Sequence, residues 1–271
     1  IPRARAEGLE GYAAEHPGPG LTMPEATFPI PEIATNCALL GNVFAVSDRD
    51  KVIRRLTPFQ VFDSTFVPSL GLAAFMAANP AAAASFDRGG LRVGAQFIPL
   101  DAAGRTILRY GPSRRGASPY DTVSMQSVIQ SEVRLQEGNT NTVLKPESFR
   151  DCYVLVGSSA PGLMDLRATP VRSAQPGVEI HATLLDNLLS GDFLRDTPRP
   201  LAAAVTLIFA VVAALAGRSC QKGWHAVLAF VILLPLPLIL GFAAYPLGYW
   251  MPVAPPEVAV EGPEPLVQKL M

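Results

Sequence analysis

Two stretches near the end of the chain stand apart from everything before them. From Leu201 to Gly217 the sequence LAAAVTLIFAVVAALAG carries no charge, and after RSCQKG a second uncharged run extends from Trp224 to Pro256. A bilayer core needs about 20 apolar residues in a helix, with a range of roughly 17–25. The first run meets that length and the second exceeds it, with Pro235, Pro237 and Pro246 inside it. Proline is tolerated in membrane helices as a kink, so the second run is expected to be one bent span. Trp224 at one end and Tyr249 with Trp250 at the other have the pattern of an interfacial aromatic belt. The intervening segment, 218–223, holds Arg218 and Lys222 and no acid, which assigns it to the cytoplasm and residues 1–198 to the outside.

The first 198 residues mix strand-like and helix-like patterns. GNVFAV (41–46) and IRRLTPFQVF (53–62) read as strands joined by a polar turn. SLGLAAFMAANP (69–80) has helical spacing at Leu70, Ala73, Ala74 and Ala77 and stops at Asn79-Pro80. AQFIPLD and TILRY are short strands around the hairpin-type turn DAAGR. TVSMQSVIQSEVRL (122–135) puts Met125, Val128, Ile129 and Val133 near one helical face. CYVLVG reads as a buried strand, and PGVEIHATLLDNLLSG (176–191) as a helix, with Pro176 before its start and Gly191 past its end. The alternation predicts an α/β fold with a mixed sheet. Residues 1–27, rich in Gly, Pro and Glu, are expected to be irregular, and 257–271 a polar tail.

Composition adds little to that division. The 271 residues carry 22 basic against 23 acidic side chains, which gives no reason to expect nucleic acid as a partner. Cys37, Cys152 and Cys220 are too scattered for a zinc site or disulfide framework and read as single inert thiols, so neither metal nor cofactor is expected. The chain opens on Ile1 with no signal peptide and reads as an internal piece of a longer protein.

Three blocks carry more specific information. Asp50, Arg54 and Arg55 fill an Asp-x-x-x-Arg-Arg pattern after an apolar run. Val156, Gly157, Gly162, Asp165, Thr169 and Pro170 fill a Val-Gly-small-small-x-x-Gly-x-x-Asp-x-x-x-Thr-Pro pattern. Pro176, Gly177, Val178, Glu179, His181 and Ala182 fill Pro-Gly-Val-Glu-x-His-Ala. Together with VPSLGLAAF, these blocks resemble the CHASE2 domain, an extracytoplasmic sensor module of bacterial receptors, over residues 28–198. The resemblance implies a sensory input module with 199–256 as its membrane anchor, a homodimeric parent receptor and an unidentified extracytoplasmic ligand. It also implies a cytoplasmic cyclase, kinase or diguanylate cyclase output outside this chain, which itself is expected to be no enzyme. Members of the family are expected to begin with a membrane anchor and an Asp-rich strand–helix half, and to carry three spans after the sensor. This sequence shows neither feature, so the sensor domain reads as incomplete at its N-terminus. A non-signalling envelope scaffold and a periplasmic hydrolase are the other classes consistent with the pattern.

Candidate chemistry centres on the loop 157–170. No Gly-Lys-Ser/Thr follows Gly157, so it is not a phosphate loop. Ser158, Asp165 and His181 occur in the chain order of a hydrolase triad, but Ser159 is followed by Ala160-Pro161 and no Gly-x-Ser-x-Gly elbow exists. His181 shares a helical stripe with Val178, Leu185 and Leu188 and should face inward, either fastening the loop or contacting a ligand as a pH-sensitive group. Asp165 is expected to accept loop amides or to pair with Arg167. Gly157, Ser158, Ser159, Asp165, Thr169 and His181 are thus the candidate ligand-binding or loop-fastening residues. Arg54 joins them as an anion contact, because adjacent strand residues Arg54 and Arg55 point to opposite faces, one towards solvent and one towards an acid.

Overall fold

The structure is a computed structural model that describes residues 4–16, 20–87, 89–112, 118–139, 141–159, 165–219 and 223–251. It divides into two units, Ile1–Leu194 and Arg195–Met271. In the first unit the elements run β1 (Ala6–Glu7), α1 (Leu9–Glu15), α2 (Pro31–Ala34), β2 (Arg55–Leu56), β3 (Phe59–Phe62), β4 (Thr65–Pro68) and α3 (Leu70–Ala78). They continue through β5 (Ala84–Asp87), β6 (Gly90–Val93), β7 (Gln96–Pro99), β8 (Thr106–Ile107), α4 (Met125–Gln136), β9 (Leu166–Arg167), β10 (Gln175–Pro176) and α5 (Gly177–Ser190). The second unit holds β11 (Arg195–Asp196), α6 (Arg199–Ser219), α7 (Gly223–Leu233), α8 (Leu236–Ala244) and β12 (Tyr249–Trp250).

The largest sheet has the order β1-β5-β6-β7. β1 joins β5 in parallel while β5–β6 and β6–β7 are antiparallel, so the sheet is mixed, as the alternation of patterns predicts. Its first strand comes from the segment expected to be irregular. Leu9 and Tyr12 of α1 are buried, and a strand edge on β5 gives residues 6–7 a ladder that no local pattern announces. β3 and β4 form a hairpin whose turn residues, Asp63 and Ser64, both have positive φ, 49° and 54°. That is the turn geometry whose twist suits a two-residue hairpin.

The core lies between this hairpin, the sheet and the helices α3 and α5. Phe59, Leu72, Leu91, Val93, Ile98, Ile180, Leu184 and Leu188 are all shut off from solvent. Phe59 stacks on Phe66 with centroids 5.2 Å apart and meets Phe86 edge-on at 5.0 Å. Burying each such side chain contributes about 1.5–3 kcal/mol. α3 and α5 touch backbone to backbone: a Cβ on Gly71 would sit 2.3 Å from the His181 carbonyl oxygen, so only glycine fits there.

Several expected strands take another form. Residues 41–46 form no strand among the described residues, apart from a bridge between Asn42 and Ser69. The 53–62 segment is broken at Thr57-Pro58 into β2 and β3, which pair with β8 and β4 respectively. The DAAGR turn closes through Asp101 N–H donating to the Arg105 carbonyl at 2.8 Å, yet its flanking strands β7 and β8 pair elsewhere. Residues 153–156 form no strand among the described residues, and Val154 and Val156 are 58% and 68% exposed. A run of β-branched residues becomes a strand only where a neighbour accepts its ladder. Cys152 beside it is exposed rather than adjacent to a buried strand.

α4 forms as its periodicity requires, with the Ser124 hydroxyl accepting from Ser127 N–H as its N-cap. Its apolar face, Met125, Ile129 and Val133, is solvent-exposed. In the second unit, α6 is long and apolar enough to cross a membrane, with a mean hydropathy of 2.3 over Arg199–Arg218. The second uncharged run is not one bent span-length helix. It breaks at Leu234-Pro235 into α7, of 11 residues, and α8, of 9. Prolines 235 and 237 lack the amide hydrogens that a continuous helix would donate to α7, and both fit where they stand, at the cap and first turn of α8. Among the described residues α6 is therefore the one helix that meets the length criterion by itself.

Candidate functional site

The candidate residues assemble around the first turn of α5. Gly191, with φ 66°, closes its far end, but Pro176 at the near end offers no side-chain cap. Asp165 compensates. Its carbonyl accepts the Gly177 N–H at 2.9 Å, and its carboxylate lies so close that a Cβ on Gly177 would fall 2.4 Å from Oδ1. A carboxylate at a helix N-terminus is favoured by the exposed amides and the helix dipole. Among the described residues Asp165 forms no ion pair with Arg167, which is exposed; the acid serves the helix instead.

The chain between Asp165 and α5 is a small stitched loop. β9 pairs antiparallel with β10, matching Arg167 with Gln175. Inside it, buried Thr169 donates its hydroxyl hydrogen to Gln175 Oε1 at 2.7 Å, and its backbone N–H reaches the Arg172 carbonyl at 2.8 Å. Arg172 Nη1 then donates to Glu179 Oε2 at 2.8 Å, tying the loop to the first turn of α5. Gly157 presses on the same turn: a Cβ there would approach Val178 Cβ and Cγ1 to 2.5 Å. Ser159 is exposed beside it. Gly162 lies outside the described residues.

His181 sits one turn further along α5 and is 2% exposed, facing inward as its stripe predicts. Its ring lies beside the Val43 backbone, and Nδ1 has no hydrogen-bond partner among the described residues. Burial lowers its pKa, against the opposing pull of the Val43 backbone and the Asp165 charge. The Ser158 hydroxyl is likewise buried without a partner among the described residues. Ser158 and His181 therefore make no nucleophile–base hydrogen bond, and the triad order along the chain is not a triad in space. Loop and helix are brought together by fastening contacts.

Arg54 lies apart from this turn. It forms a bidentate pair with Asp50, at 2.7 and 2.9 Å, and reaches Asp48 at 3.4 Å. Arg55 meets Asp101 at 3.3 Å, so both arginines engage acids and neither is simply solvated. Arg54 holds the Asp50 carboxyl down at about 2. Ile53 N–H donates to the Ala168 carbonyl at 2.8 Å, which links this charged turn to the 165–175 loop through backbone.

The family model of the CHASE2 domain matches residues 12–217. The chain belongs to the CHASE2 family. CHASE2 domains are extracellular sensor domains of signalling receptors. No curated protein and no solved structure matches it. The match begins at Tyr12, inside α1, and so takes in core residues upstream of the 28–198 span expected from the motifs.

Sequence reasoning missed the polar contacts that close the CHASE2 core. Asn187 of α5 replaces a strand partner for Arg109, accepting its N–H and donating to its carbonyl, each at 2.9 Å. Glu179 was visible only as a motif letter, although a buried acid in a helix's first turn requires a cation, and Arg172 stands seven positions upstream. Tyr110 donates to the Ile53 carbonyl at 2.9 Å and Tyr120 to Thr183 Oγ1 at 3.3 Å, neither with a local sequence signal.

Proposed function

We propose that this chain is the extracytoplasmic input module of a bacterial membrane receptor together with two membrane spans, α6 and the broken pair α7–α8. The observation that carries the reading is the CHASE2 match running directly into α6, whose apolar surface is unburied. A 21-residue helix is about 30 Å long, the thickness of the hydrocarbon core. Support for the second span is the absence of formal charge from Trp224 to Pro256 and the basic connection that begins at Arg218. In this arrangement residues 1–198 face outside the plasma membrane. Binding of an extracytoplasmic ligand shifts a two-state equilibrium that the spans report to a cytoplasmic output in a homodimeric parent.

Impermeant thiol labelling of intact cells tests the topology. In a cysteine-free background, Gln130→Cys on exposed α4 should react and Gln221→Cys should react only after the membrane is opened. The reverse pattern sinks the orientation.

A further inference from the structure

The two ends of the proposed span pair are joined by main chain. β11, which immediately precedes α6, pairs in parallel with β12, which follows α8: Arg195 is matched with Tyr249 and Asp196 with Trp250. Arg195 N–H donates to the Gly248 carbonyl at 2.8 Å, and Thr197 sends both its N–H, at 3.1 Å, and its hydroxyl, at 2.9 Å, to the Trp250 carbonyl. A short 3₁₀ turn, Tyr245–Leu247, and Gly248 with φ 80° reverse the chain after α8, which is why β12 runs parallel to β11. Glycine takes that left-handed conformation without the Cβ clash other residues meet.

We propose that β11 and β12 form a clasp at the outer mouth of the two spans, so that a displacement of the chain entering α6 is passed at once to the end of α8. The inference rests on the two-span reading above. Unpaired backbone groups are costly at a membrane boundary, and the residues leading into a span and out of the next satisfy one another here. Tyr249 and Trp250 are the residue types that anchor at lipid headgroups, which sets the clasp at the interface rather than in free solvent. The sequence between buried Leu194 and the first residue of α6 is Arg195-Asp196-Thr197-Pro198, and all of it except proline takes part in the ladder or its flanking bonds. A sensor movement therefore enters both spans through the clasp rather than α6 alone.

The test uses the full chain in native membranes, free of its own cysteines. The matched positions Asp196→Cys and Trp250→Cys fall within disulfide reach for paired strands, whereas Asp196→Cys with Ile239→Cys pairs the clasp with a position inside α8. Mild oxidation should remove both thiols of the 196–250 pair, without a dimer band, at least about tenfold faster than those of the 196–239 pair. Thr197→Val, which lacks the hydroxyl bond, should slow that closure. Equal rates for the two pairs, or crosslinks only between chains, overturn the clasp. Gln221→Cys, labelled in the same cells, separates the two failures. If it reacts from outside, the span reading falls; if it is shielded while the 196–250 pair fails to close, the clasp alone falls.

Discussion

His181 sits against the Val43 backbone with Nδ1 lacking a hydrogen-bond partner among the described residues, in a place almost closed to water. α3 and the 41–46 segment packed against it carry no ionisable side chain, so Asp165 is the charge it feels. Its folded pKa is lowered from 6.5, mainly by burial. The unfolded chain therefore binds a proton that the folded chain refuses. Stability is full above that ordinary value and is lost as pH falls through it towards the lowered one. Urea unfolding at about pH 7.5 and about pH 5.5 should show this loss in the wild type and a smaller one in His181→Gln. Because the Asp165 carboxylate pulls the pKa upward, Asp165→Asn should move the NMR titration of His181 to still lower pH. An unchanged midpoint would show that the two residues share a helix turn but no field.

At the scale of elements, α4 and α5 look alike in sequence and differ in what surrounds them. Both carry an apolar stripe and both have serviceable ends. α5 is buried on nearly every side because Gly71 lets α3 approach its backbone and because Asn187, Thr183 and Glu179 all find partners. α4 buries only Ser131, whose hydroxyl joins Ser127 O at 2.7 Å to Leu144 N at 2.9 Å. Leu184→Ala should therefore cost about 2–5 kcal/mol, the range for truncating a packed aliphatic side chain. Ile129→Ala should stay within about 0.5 kcal/mol, as at an exposed site. Gly71→Ala should resemble the first despite adding only a methyl group, since it must separate two helix backbones. Denaturant midpoints of the three variants rank them directly, and a tolerated Gly71→Ala would mean that α3 and α5 do not touch as described.

Across the whole molecule the conspicuous feature is apolar surface left open on the α/β unit. Val43, Phe44 and Val46 and, further along the chain, Tyr153, Val154 and Val156 are exposed on segments that form no strand among the described residues. Exposed apolar patches of this kind promote association. The chain in detergent should accordingly self-associate, and Val154→Thr with Val156→Thr should reduce that association without lowering the unfolding midpoint. Sedimentation of the two forms decides the matter: equal association would place the contact elsewhere.

Much of this molecule is local enough to be legible in one dimension. α3, α4, α5 and α6 follow from 3.6-residue periodicity, from breakers such as Asn79-Pro80 and Gly191, and from an uncharged run of bilayer length, because a helix satisfies its backbone within itself. The inward face of His181 follows from the same local logic. Strands are different. Val154 and Val156 have the composition of a buried strand and none of its neighbours, while Ala6–Glu7, with no signal of their own, become one against β5. The closure of β11 on β12 and the pairing of Asn187 with Arg109 likewise depend on which distant groups meet. Pairing partners are a property of three-dimensional arrangement, so only the tertiary structure could decide them.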